Sequence, residues 1–97
     1  MTKFSNVVRF EVKSEYVDDF LKVFSDPPTH EGQLNQILIK TGEQTYCGVG
    51  LWESEDAMVK ARPEMISVLA TMRHMLEDIS PEIGVADAVS GPVVVER

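Results

Sequence analysis

Two aromatic side chains and two glycines alternate along one short stretch of the chain. Because side chains of a strand point alternately to its two sides, the following set falls on one face of a predicted strand: Tyr46, Gly48, Gly50 and Trp52. The glycines leave a slot beside the indole ring. Such a slot can receive a flat ligand or a partner's side chain, and Tyr46 can donate a hydrogen bond there. The same rings can instead fill the core, so both interpretations stay open.

Three further polar residues are candidates for contacting a ligand. Asn6, near the start of the first predicted strand, can hold a substrate oxygen through its amide. Arg9 lies in the middle of that strand and needs a counter-charge, which Glu11 or a bound anion can supply. His74, on a predicted helix, can exchange a proton near neutral pH. Each residue also has a purely structural interpretation. Asn6 can be a polar residue at the start of a strand, Arg9 can be ion-paired, and His74 can lie at the boundary between core and surface.

Several classes of function lack their sequence signatures. There is no nucleophile with its base, no glycine-rich phosphate loop and no metal-ligand spacing, since His30 and His74 lie far apart. The net charge of −7 and the lack of a basic run argue against nucleic acid. No stretch approaches the ~20 apolar residues of a membrane span. With Cys47 as the only cysteine and no signal sequence at the start, we expect a cytoplasmic protein.

The first half of the chain reads as strand, helix, strand, strand. Residues 4–13 alternate as a first strand. Ser14 is the predicted cap of a helix that the proline pair at 27–28 ends. Residues 33–40 and 45–52 are the second and third strands, joined by a hairpin turn. We expect Val49 and Leu51 to face the helices, which places Trp52 and Tyr46 together on the opposite, uncovered face of the sheet.

The second half reads as helix and strand. Ser54 begins a helical region that Pro63 divides into a short helix and a longer one, which reaches about Ile79. Its methionines resemble a soft binding surface, although helical core packing is the interpretation that we favour. Residues 85–95 form a last strand, with a bulge or bend at Gly91 and Pro92.

This order predicts an α+β, ferredoxin-like βαββαβ fold for residues 1–97 as a single domain. Its four-stranded antiparallel sheet carries both helices on one face. The bare second face and the apolar terminal residues 91–95 predict a homodimer, in which the open sheet faces meet and the C-terminal strands cross.

The chain resembles the dimeric α/β-barrel superfamily and, within it, the antibiotic biosynthesis monooxygenase-like domains. The resemblance covers nearly the whole chain in length and element order. Its most specific piece is the end of the third strand, Leu51-Trp52-Glu53-Ser54-Glu55-Asp56-Ala57. It implies either a cofactor-independent monooxygenase-like protein, acting on a small planar oxygenated organic molecule, or a non-catalytic dimeric module that binds a small ligand or assembles.

The resemblance also implies which residues form a site. Relatives commonly use an asparagine on the first strand and a tryptophan near the end of the third, which Asn6 and Trp52 match. Many relatives carry a histidine on the second helix where this chain has Ala61, and His74 is the next histidine along the chain. We therefore expect haem not to be a tight ligand, and no cofactor at all. Tyr46, Arg9 and His74 complete the predicted ligand-binding set.

Overall fold

A computed structural model describes residues 2–25 and 30–97 of the chain. Its strands are β1 (Phe4–Val12), β2 (Gln33–Lys40), β3 (Thr45–Trp52), β4 (Leu76–Glu77) and β5 (Ala86–Pro92). Its α-helices are α1 (Val17–Ser25) and α2 (Glu55–Met72), and short 3-10 turns span Ser14–Tyr16 and Arg73–Met75. The predicted end of the first helix, at residues 26–28, lies outside the described residues.

The sheet has the predicted ferredoxin-like topology. Its four long strands lie in the order β2, β3, β1, β5, and each neighbouring pair is antiparallel. The two-residue strand β4 pairs with the end of β1, beyond the stretch of β1 that β5 covers. Among the described residues, no helix is both long enough and apolar enough to cross a membrane.

The core lies between one face of this sheet and the two helices. Phe10 of β1 and Phe20 of α1 are buried, and their rings meet edge to face with centroids 5.5 Å apart. Val12 is fully buried in the same cluster, as the alternation along β1 predicts. A second cluster, near the start of α2, contains Trp52 and Met58. We call this helix-covered side of the sheet the inner face.

The prediction that Trp52 and Tyr46 face away from the helices is wrong. Trp52 pairs directly with Phe4 and Tyr46 with Phe10, so all four side chains share the inner face. The Tyr46 ring contacts that of Phe20 on α1, 5.2 Å between centroids. Both faces of β3 are apolar, so its own alternation does not choose between them, and the pairing with the aromatic face of β1 decides.

Residues predicted to face the helices therefore lie on the other side of the sheet, which we call the outer face. It carries an apolar set from four strands: Val7, Ile37, Ile39, Cys47, Val49, Leu51 and Val89. Ile37 keeps 49% of its surface exposed and Val89 keeps 63%. The sheet therefore has an uncovered apolar face, as predicted. However, β3 contributes Val49 and Leu51 to this face, and not Tyr46 and Trp52.

Helix α2 is continuous, contrary to the prediction of two helices divided at Pro63. Ser54 caps its start, because its hydroxyl oxygen accepts a 3.2 Å hydrogen bond from the Ala57 backbone N–H. Pro63 lies exposed inside the helix, while Met58 and Met72, on either side of it, are buried against the sheet. Packing on both sides offsets the hydrogen bond that proline removes.

Three smaller predictions also need correction. Helix α2 ends at Met72, and the chain then turns into β4, so Ile79 is not helical. Ser14 lies within a 3-10 turn that has Lys13 at its cap position and no side-chain capping bond. Strand β5 ends at Pro92 with regular pairing through Gly91, so the predicted bulge is not present there.

Candidate functional site

A cleft of about 450 Å³ lies between the inner face of the sheet and the two helices. Its apolar walls come from β1, α1, α2 and β5, and α2 contributes the largest share, Met58, Met65, Ile66, Val68, Leu69 and Met72. Its polar lining residues are Asn6, His30, Gln33, Gln36, Arg62 and Ser90. A mostly apolar concavity with a few polar groups is the usual form of a small-molecule site.

Asn6 and Trp52 are joined by a hydrogen bond at this cleft. The indole Nε1–H of Trp52 donates to Oδ1 of Asn6 over 2.7 Å, linking β3 to β1. Gly50 makes the contact possible, since a Cβ there would lie 2.5 Å from Asn6 Oδ1 and 3.1 Å from Trp52 Nε1. Gly50, one of the two glycines from which the sequence predicts a slot, therefore makes room for this hydrogen bond. The other, Gly48, lines the cleft itself.

The hydrogen bond fixes the orientation of the Asn6 amide. An indole N–H can only donate, so the amide atom facing it must be the oxygen. The Nδ2 group of Asn6 makes no hydrogen bond to residues 2–25 or 30–97, and it is not among their buried unpartnered atoms. Asn6 therefore has N–H donors free for a ligand in the cleft, and its hydrogen bond to Trp52 fixes the position of its amide.

Trp52 itself does not line the cleft. Its side chain is fully buried in a cluster with Phe4, Met58 and Ala61. A ligand in the cleft therefore meets Asn6 and not the indole face. The arrangement makes Trp52 a positioning residue, because it acts on a ligand through the amide that it orients.

His30 reaches the cleft from the segment before β2. Its ring lies 5.8 Å from that of Trp52, between centroids, and the two planes are tilted by 34°. Its Nδ1 is 3.4 Å from Oε2 of Glu64 on α2, and only 10% of its side chain is exposed. A carboxylate on one ring nitrogen fixes the orientation of an imidazole. His30 is thus held in a defined position at the cleft, as a proton-transfer group needs to be.

The structure separates the other predicted site residues from this cleft. Tyr46 shares the inner face with Trp52 but belongs to the other core cluster, with Gly48 and Gly50 between them along β3. Arg9 lies on the outer face, where its guanidinium pairs with Asp87 and its Nε donates over 2.9 Å. His74 is exposed and packs edge to face on Tyr16, 5.2 Å between centroids.

Sequence reasoning missed five polar lining residues: His30, Gln33, Gln36, Arg62 and Ser90. Their positions in the chain carry no pattern that marks a site. His30 follows a proline pair and was considered only as a metal ligand, and Arg62 reads as an ordinary exposed helix residue. Ala61 is buried beside Trp52. The histidine that lies near Trp52 is His30, which comes from a different element, whereas His74 packs on Tyr16.

No group of three or more histidine, cysteine, aspartate or glutamate side chains within residues 2–25 and 30–97 has a geometry that would hold a metal ion. Arg62 and the amides of Asn6, Gln33 and Gln36 are hydrogen-bond donors that suit an oxygen-bearing organic ligand.

The sequence matches no protein-family profile and no curated protein sequence. Solved structures match it over almost its full length. A candidate antibiotic biosynthesis monooxygenase from Caulobacter crescentus CB15 matches with a TM-score of 0.76 at 21% identity, over 97% of this chain and 92% of that one. SnoaB, a cofactor-independent oxygenase from Streptomyces nogalater, matches with a TM-score of 0.71 at 15% identity, over 97% and 95%.

A dimeric ferredoxin-like protein from an uncultured marine organism matches with a TM-score of 0.72 at 16% identity, over 100% of this chain and 92% of that one. Identities this low relate the folds and leave activities open. The chain therefore has the ferredoxin-like fold of the antibiotic biosynthesis monooxygenase-like proteins.

Proposed function

We propose that the chain is a cofactor-independent monooxygenase-like protein that binds a small planar oxygenated organic molecule in the cleft under its helices. The observation that carries the proposal is the Trp52–Asn6 hydrogen bond, which fixes an amide at a mostly apolar cleft. The fold that the chain shares with SnoaB, a cofactor-independent oxygenase, supports this class of reaction.

In the proposed reaction, the Asn6 amide stabilises negative charge on a substrate oxygen. Fixed donors aimed at developing charge are among the strongest contributions a protein makes to catalysis. His30 is the proposed general base, because its imidazole lines the cleft and Glu64 holds it in place. Removing a proton from a methylene group next to the stabilised oxygen leaves an electron-rich carbanion.

Such a carbanion reacts with oxygen directly, so the proposal needs no cofactor. It transfers one electron to O₂, and the two radicals join to form a peroxide. Loss of water then converts the CH₂ group into C=O, so that CH₂ and O₂ become C=O and H₂O. The chain's part is to bind, orient and deprotonate the substrate, and the apolar side chains of α2 exclude water from the carbanion.

A second candidate function is a non-catalytic module of the same fold that binds a small ligand or assembles. The observation in its favour is that Tyr46 and Trp52, the two aromatic residues of β3, are both core residues. Under this alternative the Asn6 amide would only stabilise the fold. Ligand-dependent oxygen consumption separates the two candidates, because a binding module consumes none.

The outer face supports a homodimer as part of the proposal. Its apolar residues include Val49, which lies directly between Val7 and Ile37 on the two neighbouring strands. Burial of such a patch favours association, and a two-fold axis lets the same patch serve both copies. Cys47 lies on this face as a free thiol, which fits the reducing cytoplasm that we propose as its compartment.

Oxygen-electrode measurements with polycyclic phenols that carry a ring methylene group test the enzymatic proposal. The purified chain is expected to consume oxygen with at least one of them and to form the corresponding quinone or ketone. Asn6→Ala is expected to lower kcat by about 10²-fold, the usual effect of losing one donor to an oxyanion. The matched control is Asn35→Ala, since Asn35 is exposed on β2 and does not line the cleft. Equal activity in the two variants would contradict the role of Asn6.

A further inference from the structure

We propose that the ligand of this cleft is an aromatic anion, a planar ring system with one carboxylate or phenolate group that lies against Arg62. The inference rests on the proposed function and deepens it by assigning a charge to the ligand and a residue that recognises it. Three properties of the cleft carry it: the sign of its charged residues, the hydrogen-bonding state of its amides and the shape of its apolar wall.

The cleft has the opposite charge character to the rest of the chain. Acidic residues number 16 against 9 lysines and arginines, for a net charge of −7. Yet no aspartate or glutamate stands among the described residues that line the cleft, whereas Arg62 and His30 do. Glu64 is not one of the lining residues, and its carboxylate lies 3.4 Å from the His30 ring. An anion entering the cleft therefore meets the positive charge of Arg62, in a protein whose net charge is negative.

Arg62 is available to such an anion. Within residues 2–25 and 30–97, the ion pairs are Lys3–Glu96, Arg9–Asp87 and His30–Glu64, so Arg62 has no acidic partner there. It follows the buried Ala61 on α2, and its side chain lines the cleft. A guanidinium group offers paired N–H donors that match the two oxygens of a carboxylate.

The amides of the cleft also favour an acceptor ligand. Oδ1 of Asn6 is taken by Trp52, and Oε1 of Gln36 accepts a 3.4 Å hydrogen bond from Nε2 of Gln33. Of the three lining amides, Asn6 and Gln36 therefore keep N–H donors for a ligand while their oxygens accept hydrogen bonds, and Gln33 uses one of its own N–H donors in the pair with Gln36. A phenolate or carboxylate, which only accepts hydrogen bonds, suits this arrangement better than a ligand rich in donors.

The remaining lining explains why the anion is aromatic. Phe10 and Phe24 supply ring edges and faces, and Met58, Met65 and Met72 supply polarisable side chains that adapt to flat rings. A purely apolar ligand would leave the guanidinium group without a partner at the cleft.

Isothermal titration calorimetry with 1-naphthoate and 1-naphthamide tests this inference, because the two probes share one ring system and differ in charge. We expect naphthoate to bind at least about tenfold more tightly than naphthamide, from one charge-assisted contact. Arg62→Gln should remove that preference by weakening naphthoate alone. The matched control Arg73→Gln changes an exposed arginine outside the cleft and should leave both affinities unchanged.

The outcomes separate this inference from the proposed function. Equal affinity for the two probes, or a naphthoate preference that survives Arg62→Gln, would overturn the anion assignment and leave the oxygenase proposal standing. If neither probe binds, both fall, because the cleft is then not a site for planar molecules. A naphthoate preference without oxygen consumption would support the ligand class and favour the non-catalytic alternative.

Discussion

The indole N–H of Trp52 and the amide oxygen of Asn6 lie 2.7 Å apart across the strands β3 and β1. They are diagonal neighbours, because Asn6 pairs with Gly50 and Trp52 pairs with Phe4. The bond crosses the space that a side chain at Gly50 would occupy. It links a fully buried ring to an amide of the cleft, so that the core and the candidate site share one contact.

Gly50→Ala is expected to break this contact. The added methyl group would overlap Asn6 Oδ1 at 2.5 Å, so one of the two partners must move. We expect a loss of about 1–3 kcal/mol in the free energy of unfolding, the cost of a broken buried hydrogen bond. Urea denaturation followed by circular dichroism measures it.

Gly48→Ala is the matched control for that experiment. Gly48 lies on the same face of β3, but a methyl group there would meet its neighbours at ordinary distances of 3.7–3.9 Å. We expect its free energy of unfolding to stay within about 1 kcal/mol of the native value. Equal destabilisation by the two substitutions would mean that the Asn6–Trp52 contact is not what Gly50 protects.

Substitutions of Trp52 should separate its packing from its hydrogen bond. Trp52→Ala is expected to cost about 3–5 kcal/mol of stability, because the side chain is fully buried. Trp52→Phe keeps most of the packing and removes the donor, so we expect a smaller loss of about 1–3 kcal/mol and a weaker ligand affinity. An unfolding midpoint unchanged by Trp52→Ala would show that the ring is not part of the core.

The positions of Trp52 and Tyr46 show how far the sequence determines this fold. The alternation along β1, the turn between β2 and β3 and the capping of α2 by Ser54 are local features, and they predict the architecture correctly. The direction in which β3 faces is not local. Its aromatic set and its aliphatic set are both apolar, and only the pairing of Phe10 with Tyr46 assigns the aromatic set to the helices.

The candidate site was predictable only in part, for the same reason. Asn6 and Trp52 were identified, but their contact depends on register, which a single strand does not reveal. His30 lies in a loop and Arg62 in a helix, and both line the cleft because these elements pack on the sheet. Neither residue lies in a sequence motif. Arg9 lies on the face away from the helices, as the alternation along β1 predicts, and it is separated from the candidate site because Trp52 faces the helices instead.

The outer face is expected to be the dimer interface. Val49→Asp places a charge between Val7 and Ile37, and burying it unpaired would cost several kcal/mol. We therefore expect light scattering to give about the dimer mass for the native chain and the monomer mass for Val49→Asp. Val59→Asp on the exposed side of α2 is the control and should stay dimeric. A native chain that is monomeric at micromolar concentration would contradict this assignment.

Haem is expected to bind only weakly. Ala61 offers no ligand to iron, and His30 is paired with Glu64, packed near Trp52 and only 10% exposed. Titration of haem followed by its absorption spectrum should show no stoichiometric end point. A saturable spectrum that is lost in His30→Gln, or in His74→Ala, would contradict the expectation and identify the ligand to iron.

The most direct test of the central claim, that the ligand lies under the helices, is a methionine methyl NMR titration with 1-naphthoate. Met58, Met65 and Met72 line the cleft, whereas Met75 packs on the core without lining it. Labelled methyl signals, assigned by Met→Leu variants, should shift at the three lining residues and remain nearly unchanged at Met75. Calorimetrically confirmed binding that leaves the three lining signals in place would contradict the account, because the ligand would then lie elsewhere on the protein.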